Sequence, residues 1–341
     1  MRVLITGGSG FIGTNLVSFY LEQGTEVCNI DIAPPKNEKH KPFWKQVDIL
    51  DAKHLQEEIH DFSPTHIIHL AAQTGTTDKG KTIEDYATNF KGVENLILAC
   101  KELPNLQRVI FTSTMLVCKV GYLPKNDEDY SPPNLYGESK AMGEKIVREK
   151  AKELPCSWVI VRPIGIWGPW FDTPYKEFFL TIAKGLYVHP GKRGAVQTLG
   201  FVGNTVYQLH KLAIAPDEEV HGKVFYLGDL PSLNLRDWAN LIQQALDARK
   251  IPTVPLWTLK IAAKGGDLAK FLGWKNPPLT SSRLKNMLTD MIYNIDPFVT
   301  EELPYTLEEG VRITIDWLRD YEYIKTKTEG KEKKQRGGRL K

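Results

Sequence analysis

Tyr136 and Lys140 are the residues whose types and spacing most directly predict chemistry. They stand four residues apart, directly after a helix-breaking run at 131–134. A helix is predicted from Tyr136 to Leu154, and residues four apart on a helix share a face, so the two side chains should lie together. A nearby ammonium favours the phenolate over the phenol, whose free pKa is about 10, so the pair could take and return a proton. By itself the pair is more typical of a solvated helix edge, and two upstream features decide between these interpretations.

The first feature is the order of strand, glycine turn and helix at the amino terminus. An apolar, β-prone run at 2–6 leads into a turn at 7–13, and residues 14–22 have helical periodicity. Three glycines in this turn would allow a tight bend, close approach to a pyrophosphate, and packing of helix on strand. The helix N-terminus would present N–H groups to the phosphates. We therefore predict that this segment binds a dinucleotide through Gly7, Gly10, Phe11, Ile12 and Gly13.

Asp31 indicates which dinucleotide is bound. A second predicted strand, at 26–30, ends at Asp31, which stands 18 residues after Gly13. A carboxylate at this position can accept hydrogen bonds from both ribose hydroxyls of an adenosine and would repel a 2′-phosphate. The sequence therefore predicts NAD rather than NADP as the cofactor.

The second feature is a strand that ends in three hydroxyl side chains. The apolar run from Arg108 finishes in Thr112, Ser113 and Thr114. Strand ends in a parallel sheet face the ligand crevice, so a hydroxyl there can hydrogen-bond the same substrate oxygen that Tyr136 protonates. Strand capping is the alternative role, and it suits Thr112 and Ser113 better than Thr114 at the tip. Thr114, Tyr136 and Lys140 are therefore the predicted catalytic residues.

Strands and helices alternate along the first half of the chain, which is the pattern of an α/β protein. Helices are predicted near 52–62, 81–103 and 136–154, and strands near 65–70, 109–113 and 158–161. We predict a Rossmann, doubly wound parallel sheet over residues 1–168. A smaller mixed α/β C-terminal substrate lobe is predicted over 169–324, with helices near 177–184, 235–248, 256–272, 281–291 and 307–323. The strand at 223–227 should return to the sheet or its edge.

These motifs, in this order, resemble the extended short-chain dehydrogenases/reductases of the NAD-dependent epimerase/dehydratase group. The resemblance is dense over the first half of the chain and thin over the second. It implies further cofactor contacts beyond the glycine turn, namely an adenine site, a turn under the phosphates, an asparagine that steadies the active-site helix, and a strand-end loop beside the nicotinamide. The matching residues, in the same order, are Asp48 and Ile49 for the adenine site, Leu70, Ala71 and Ala72 for the turn, Asn89 for the asparagine, and Pro163 and Ile166 for the loop.

Departures from the family pattern restrict the substrate. Met115 and Leu116 follow Thr114, where dehydratases of the family usually carry an acidic pair, so a 4,6-dehydratase is disfavoured. Gln197 stands where many nucleotide-sugar epimerases have a diphosphate-binding arginine. Lys192, Arg193 and Arg283 are candidates for the missing charge, although each could equally be a surface cation. Cys118, at a position that is commonly tyrosine, either lines the sugar pocket or is a small buried residue.

Composition and charge restrict the other partners. The four cysteines are scattered and the eight histidines show no metal-ligand spacing, so we expect free thiols, a cytoplasmic location and no metal. No apolar run is long enough to span a membrane. Residues 325–341 carry eight basic and two acidic side chains, and we expect a disordered, solubilising tail, although such tails can also bind nucleic acid or anionic lipid. Without the tail the net charge of +3 becomes about −3, so neither a nucleic acid nor a membrane is expected as a partner. The family suggests a homodimer.

The resemblance implies an NAD-dependent nucleotide-sugar epimerase, with a 4-epimerase as the expected member, acting through a transient keto intermediate. The aromatic residues Trp167, Trp170, Phe171 and Tyr175 could enclose a sugar or base, or could pack in a core. Two alternatives stay open. One is a dehydrogenase of a sterol-like or other secondary alcohol, and the other is a non-catalytic NAD-binding scaffold, against which Tyr136 and Lys140 argue.

Asp31 leads to the first testable prediction. NAD should bind at least tenfold more tightly than NADP, about 1.4 kcal/mol, because the carboxylate accepts from ribose hydroxyls and repels a phosphate. Isothermal titration calorimetry with both dinucleotides measures the ratio, and Asp31→Asn, which keeps the shape and removes the charge, should reduce it. Equal affinities in the unmodified protein would contradict the assignment.

Overall fold

The computed structural model describes residues 1–274, 277 and 279–324, so the basic tail expected at 325–341 lies outside the described residues. The regular elements follow one another along these residues as short strands and longer helices. The strands are β1 (Arg2–Thr6), β2 (Glu26–Asp31), β3 (Trp44–Gln46), β4 (His66–His69), β5 (Arg108–Thr112), β6 (Ser157–Pro163), β7 (Gly165–Trp167), β8 (His189–Pro190), β9 (Val196–Gln197), β10 (Leu199–Phe201), β11 (Val224–Leu227), β12 (Leu233–Asn234) and β13 (Thr253–Val254). The α-helices are α1 (Phe11–Glu22), α2 (Ala52–Phe62), α3 (Lys91–Cys100), α4 (Leu135–Lys150), α5 (Tyr175–Ala183), α6 (Val202–Ile214), α7 (Asp217–Val220), α8 (Leu235–Leu246), α9 (Leu256–Phe271), α10 (Ser281–Leu288), α11 (Pro297–Thr300) and α12 (Leu307–Asp320).

Seven of the strands form one parallel sheet in the order β11-β6-β5-β4-β1-β2-β3. The register places the carboxyl ends of the strands at one edge, since Thr6 pairs with Ile30 and His69, and Thr112 pairs with Val161. This is the doubly wound α/β fold predicted from the sequence, and the prediction is confirmed. β11 pairs with β6 at the sheet edge, as predicted for the strand near 223–227.

The sheet is buried on both faces, which explains why its strands read as continuous apolar runs rather than alternating ones. Val3, Leu4 and Ile5 of β1 are fully buried, as are Ile67 and Ile68 of β4. On one face these strands pack with the apolar sides of α2 and α3 in a single cluster that extends to Trp158 on β6. Strand ends that must hold polar groups are therefore carried by a rigid, apolar platform.

Several elements differ from the sequence-based expectation, among them β3, the helix expected over 81–103, and α6. β3 was not predicted, because it is a three-residue edge strand whose lysine and glutamine are exposed. The helix predicted over 81–103 is interrupted: a 3₁₀ helix, Ile83–Asn89, ends at Phe90 with φ −131°, and α3 follows. α6 was not predicted either, because it opens on Val202, Gly203 and Asn204, which are poor helix formers without a side-chain cap. Packing of its buried face decides its conformation.

The chain divides into two compact units. The first comprises Met1–Ile166, Leu199–Leu230 and Tyr293–Pro304, and the second comprises Trp167–Thr198, Pro231–Ile292 and the described chain from Tyr305. In the second unit Trp167, Phe179 and Trp238 form an aromatic core, with the two tryptophan ring centroids 5.2 Å apart. Trp167 and Phe171 are both buried there, so these two side chains serve core packing.

In the second unit, α9 and α10 pack through Leu259, Ala263 and Leu284. Two adjacent glycines of α9 differ sharply in their surroundings. A Cβ added to Gly265 would have open space, whereas a Cβ added to Gly266 would overlap the carbonyl oxygen of Leu279. Gly266 therefore allows the close approach of the segment that leads into α10.

This difference predicts opposite effects of one substitution at neighbouring positions. Gly265→Ala should raise the free energy of unfolding by about 0.5–1 kcal/mol, because alanine is the better helix former. Gly266→Ala should lower it by about 1–3 kcal/mol, because the new methyl group forces the packing apart. Urea unfolding of both variants tests the pair, and equal effects would contradict the described packing.

Candidate active site

The glycine turn between β1 and α1 is held in close contact with the end of β4. Gly7 has φ +74°, and a Cβ at this position would lie 2.5 Å from the backbone nitrogen of Ala71. A Cβ at Gly13 would overlap the carbonyl oxygen of Gly7. The turn therefore tolerates only glycine at these two points. α1 begins directly after Gly10, which provides no side-chain cap, so its N-terminus is suited to a phosphate.

Asp31, at the end of β2, is oriented by the same turn. One carboxylate oxygen accepts from the backbone N–H of Ser9 at 3.0 Å, and the other accepts from the N–H of Ala33 at 2.9 Å. Burial raises the pKa of Asp31, and the N–H groups of Ala33 and Ser9 oppose that rise. Each oxygen keeps a second lone pair, so the carboxylate can still accept from ribose hydroxyls. Ser9 was not identified from the sequence, because its contribution is a backbone group.

The residues matched to the adenine site take different positions. Ile49 is buried, whereas Asp48 is exposed and its carboxylate accepts from the N–H of Leu50 at 2.9 Å. The exposed carboxylate is thus held in a local turn and remains accessible. Leu70, Ala71 and Ala72 follow β4 beside the glycine turn, and they are half-buried.

Asn89 connects the loop after β4 to the helix that carries the predicted base. Its side-chain oxygen accepts from the N–H of Gln73 at 2.8 Å, and its nitrogen donates to the carbonyl of Gln73 and to the hydroxyl of Ser139, both at 2.9 Å. Ser139 in turn donates to the carbonyl of Tyr136 at 2.8 Å. Asn89 is fully buried, so this link holds α4 in position from inside the protein. Ser139 was missed in the sequence, although it lies inside the Tyr-Lys segment.

Thr114 and Tyr136 are brought together, as the sequence predicted. Thr114 follows β5, and its hydroxyl accepts from the N–H of Leu116 at 3.3 Å. The side chain of Thr114 lies close enough to Tyr136 to lower the pKa of the phenol. Lys140 lies one turn further along α4 and is buried. The three predicted catalytic side chains therefore belong to the carboxyl-end edge of the sheet and the helix that follows it.

The electrostatics of the pair differ from the sequence-based expectation. Burial raises the pKa of Tyr136, and the hydrogen bond from Thr114 opposes the rise. Burial lowers the pKa of Lys140 from 10.5 to about 8, and the nearby carboxylate of Glu144 partly restores it. We expected the lysine to lower the pKa of Tyr136, but desolvation of the phenol dominates in the protein alone. Lys140 is instead the group whose titration is brought close to neutral pH.

A buried ion pair lies behind Lys140. The guanidinium of Arg162, on β6, donates two hydrogen bonds to Glu144 of α4, at 2.9 and 2.7 Å. Its remaining donors reach the hydroxyl of Tyr226 at 3.1 Å and the carbonyl of Asp127 at 2.6 Å. The sequence contained a signal for this pair, because Glu144 stands four residues after Lys140 and Arg162 is a charge at the end of an apolar strand.

Pro163 ends β6 directly after this arginine, and Ile166 lies on the short strand β7 that follows. Ile166 is buried, and the loop is fixed because the N–H of Ile164 donates to the carbonyl of Leu227 at 3.1 Å. Cys118 is buried in a small cluster with Val117 and Ala141, and its thiol donates to the carbonyl of Asp129 at 3.4 Å. This position favours the buried-residue interpretation of Cys118 over a role in lining a pocket.

The candidate substrate cations belong to the second unit. Arg193 forms an ion pair with Asp290, and Arg283 lies 3.7 Å from the carboxylate of Glu177, while Lys192 is exposed. Gln197 is buried, and its amide nitrogen donates to the carbonyls of Asn286 and Thr289 at 3.1 and 3.0 Å. At the position expected for a diphosphate-binding arginine, the chain thus has a side chain that ties β9 to the end of α10. Both arginines already have a carboxylate partner within their own unit.

Residues 3–228 match the NAD dependent epimerase/dehydratase family. The chain belongs to this family. The match covers the glycine turn, Asp31, Thr114, Tyr136 and Lys140, and it ends one residue after β11. The resemblance seen in the sequence is confirmed, and NAD is the cofactor of the family.

Relatives of the chain differ in substrate. The N-acetyl-alpha-D-glucosaminyl-diphospho-ditrans,octacis-undecaprenol 4-epimerase of Escherichia coli O157:H7 is 28% identical over 337 residues, which are 96% of each chain. A 3 beta-hydroxysteroid dehydrogenase/Delta 5-->4-isomerase of Mycobacterium tuberculosis is 28% identical over 261 residues, 73% of this chain and 70% of that one. The crystal structure of UDP-glucose 4-epimerase with UDP-glucose from Thermotoga maritima has a TM-score of 0.71 and 20% identity, covering 94% of this chain and 99% of that one. The structural likeness shows the fold.

Within residues 1–274, 277 and 279–324, no group of three or more histidine, cysteine or acidic side chains is arranged to hold a metal ion. None of the helices in this part of the chain is both long and apolar enough to cross a membrane.

The burial of Lys140 predicts an effect of pH on stability. Its folded pKa of about 8 lies below the ordinary value of 10.5, so the folded protein releases this proton first, and the free energy of unfolding should rise with pH between about 8 and 10.5. Lys140→Met should remove this contribution. The variant should be more stable than the unmodified protein by about 3 kcal/mol at pH 7, and the difference should shrink toward pH 10.5.

Urea unfolding at pH 7, 8, 9 and 10 measures the effect. Lys145→Met is the matched control, because Lys145 is an exposed lysine of the same helix. Parallel pH dependence of the unmodified protein and Lys140→Met would show that the ammonium of Lys140 is not desolvated by folding.

Proposed function

We propose that the protein is an NAD-dependent 4-epimerase of a sugar carried on a diphosphate, with a nucleotide sugar as the substrate class, and that it acts through a transient ketone. The observation that carries the proposal is the placement of Thr114, at the end of β5, beside Tyr136 in the first turn of α4, with Lys140 buried on the next turn of the same helix. A base and a second hydroxyl directed at one point can bind and deprotonate a single alcohol.

The residues around the glycine turn fit NAD. The tight contact between Gly7 and Ala71 leaves the backbone of the turn open to a pyrophosphate, and Asp31 is already oriented by Ser9. When bound, NAD supplies hydride acceptance from the substrate carbon and hydride return. We propose that Asp48, Ile49, Leu70, Ala71, Ala72, Asn89, Pro163 and Ile166 complete this site.

The chain's own residues handle the proton. Tyr136 takes the proton of the substrate hydroxyl as the carbon loses hydride, which leaves a ketone, and it returns the proton when hydride is added to the opposite face. Thr114 holds the substrate oxygen in both half-reactions. Because burial raises the pKa of Tyr136, the resting side chain is a phenol, and a nearby cation is needed to stabilise the phenolate. Lys140 is that cation, and Glu144 favours its charged form.

Two features support epimerisation over dehydration. The relative that spans 96% of both chains is a 4-epimerase of a sugar diphosphate. In addition, Met115 and Leu116 follow Thr114, so there is no acid-base pair at this point to remove a carbon-bound proton and eliminate water. The homodimer and the cytoplasmic location expected from the sequence belong to this proposal as well.

A hydroxysteroid-type dehydrogenase is the second candidate. The Mycobacterium tuberculosis relative favours it. Gln197 also favours it, because a neutral, buried side chain that donates to two backbone carbonyls stands where a cation would bind a diphosphate. The two candidates use Tyr136 in the same way. They differ in whether hydride leaves with the cofactor or returns to the substrate.

Tyr136→Phe tests the chemistry common to both candidates. Removing the phenol oxygen should lower turnover by roughly a hundredfold or more while NAD still binds, because a general acid and base contributes about this much. The assay incubates the protein with UDP-sugars and with a polyprenyl-diphosphate sugar, without added oxidant, and separates epimers by chromatography. Lys145→Met, a change at an exposed lysine of the same helix, serves as the control.

The outcomes separate the proposals. Conversion of a diphosphate sugar to its 4-epimer without NADH accumulation supports the epimerase. A parallel reaction contains a 3β-hydroxysteroid and added NAD. If it forms one NADH for each ketone, and no diphosphate sugar gives an epimer, the dehydrogenase replaces the epimerase. Near-normal turnover of Tyr136→Phe would contradict both mechanisms.

A further inference from the structure

Helix α9 of the second unit exposes an apolar stripe. Trp257, Ile261 and Leu268 are 66%, 64% and 59% exposed, and their spacing of four and seven residues places them on one side of the helix. Phe271 and Leu272, at the end of the helix, are 86% and 76% exposed. Single exposed apolar residues are ordinary on a protein surface. Five of them along α9 and its C-terminal end indicate a surface that binds a partner.

The opposite side of the helix already has its packing partner. Leu259 and Ala263 are buried against Leu284 of α10. The helix is thus apolar on two sides, of which only one serves the fold of its own unit. The exposed stripe, defined as Trp257, Ile261, Leu268, Phe271 and Leu272, has no role in that packing.

Positive charges accompany the exposed stripe. Lys260, Lys264 and Lys270 are all exposed along the same helix. Asp267 is the one acidic residue of α9, and its carboxylate already accepts from the N–H of Ser281 at 3.1 Å. Trp274 follows the helix and is also exposed. A helix that combines lysines with exposed tryptophan, leucine and phenylalanine has the composition of helices that lie in a membrane interface.

We propose that α9 docks the protein on the surface of a bilayer that contains anionic lipid. The exposed stripe enters the boundary between headgroups and acyl chains, with Trp257 and Trp274 at the level of the headgroups, and Lys260 and Lys264, which lie on the side of the stripe, meet lipid phosphates. The docking is peripheral, because α9 has 16 residues and three lysines and cannot span the hydrocarbon.

Charge decides between a bilayer and a second copy of the chain. In a two-fold pairing of α9 through this stripe, Lys264 of both copies would be buried in the contact, because it stands three residues after Ile261 and four before Leu268 on the same side of the helix. Burial of an unpaired ammonium is unfavourable, whereas at an anionic lipid surface the long side chain can carry its charge to the phosphates. The sequence led us to expect no membrane partner, and the exposed stripe revises that expectation for a surface contact.

The inference does not depend on the proposed function, because docking can be measured without substrate. It also bears on that function. A protein held at a bilayer meets substrates whose diphosphate or alcohol is attached to an apolar carrier, so membrane docking favours a lipid-linked sugar over a freely diffusing one.

Vesicle co-sedimentation of the full-length protein tests the proposal. The probes are vesicles of phosphatidylcholine alone and vesicles of phosphatidylcholine with 30% phosphatidylglycerol (about the anionic fraction of a charged leaflet). The unmodified protein should bind the anionic vesicles, and its binding should weaken as the salt concentration rises. The double variant Ile261→Glu, Leu268→Glu should bind at least tenfold more weakly.

The matched control is Leu123→Glu, Leu186→Glu, which makes the same chemical change at two leucines that are 88% and 70% exposed outside α9. It should bind as the unmodified protein does. Because both double variants keep the basic stretch at 325–341, equal binding by all three proteins would assign lipid binding to that stretch and overturn the proposal. The proposal is also overturned if the unmodified protein binds neither vesicle, or if it forms a dimer without lipid that Ile261→Glu, Leu268→Glu abolishes. Thermal unfolding of each variant checks that the substitutions leave the fold intact.

Discussion

Burial of the Lys140 ammonium is the constraint on which the site depends. A charge removed from water is unfavourable unless other groups offset the loss of hydration, and the fall of the Lys140 pKa to about 8 is a direct sign of that cost. Glu144 offsets part of it, and Glu144 is itself held by both ends of the Arg162 guanidinium. Arg162 also donates hydrogen bonds to the hydroxyl of Tyr226 and to the carbonyl of Asp127. One buried network therefore joins α4, β6 and β11, and it holds the helix that carries Tyr136 against the edge of the sheet.

The proposed site bears on why relatives of the chain differ in substrate. In the proposed function, Thr114, Tyr136 and Lys140 act on a secondary alcohol and the glycine turn with Asp31 receives the dinucleotide, so neither set recognises the rest of the substrate. An undecaprenyl-diphosphate sugar 4-epimerase and a hydroxysteroid dehydrogenase are both similar to this chain at 28% identity. Specificity must come from other parts of the chain, and the family match, which ends at residue 228, leaves most of the second unit outside it.

The side chains of the second unit are divided between its own packing and its surface. Its aromatic side chains Trp167, Phe171 and Trp238 build a core, so Trp167 and Phe171 serve packing rather than the stacking of a sugar. Arg193 and Arg283 are paired with acidic residues, so a diphosphate would have to compete with Asp290 and Glu177 for them. What this unit does expose is the apolar stripe on α9. Its apolar surface is therefore divided between an internal core and a face available to a partner.

The sequence by itself determined the sheet, the family and its NAD cofactor, and it predicted the site residues, because these depend on local patterns: apolar runs that end in hydroxyls, glycines at fixed offsets, and a tyrosine four residues before a lysine. Tertiary structure decided the remainder. Helix α6 opens on poor helix formers and is set by packing, and Ser9 contributes a backbone group that no side-chain pattern reveals. The direction of the Tyr136 pKa was wrong in the sequence analysis because charge pairing can be read from spacing, whereas desolvation depends on atoms from distant segments. Burial is a property of the whole fold, and for that reason only the folded protein shows which ionisable groups are perturbed.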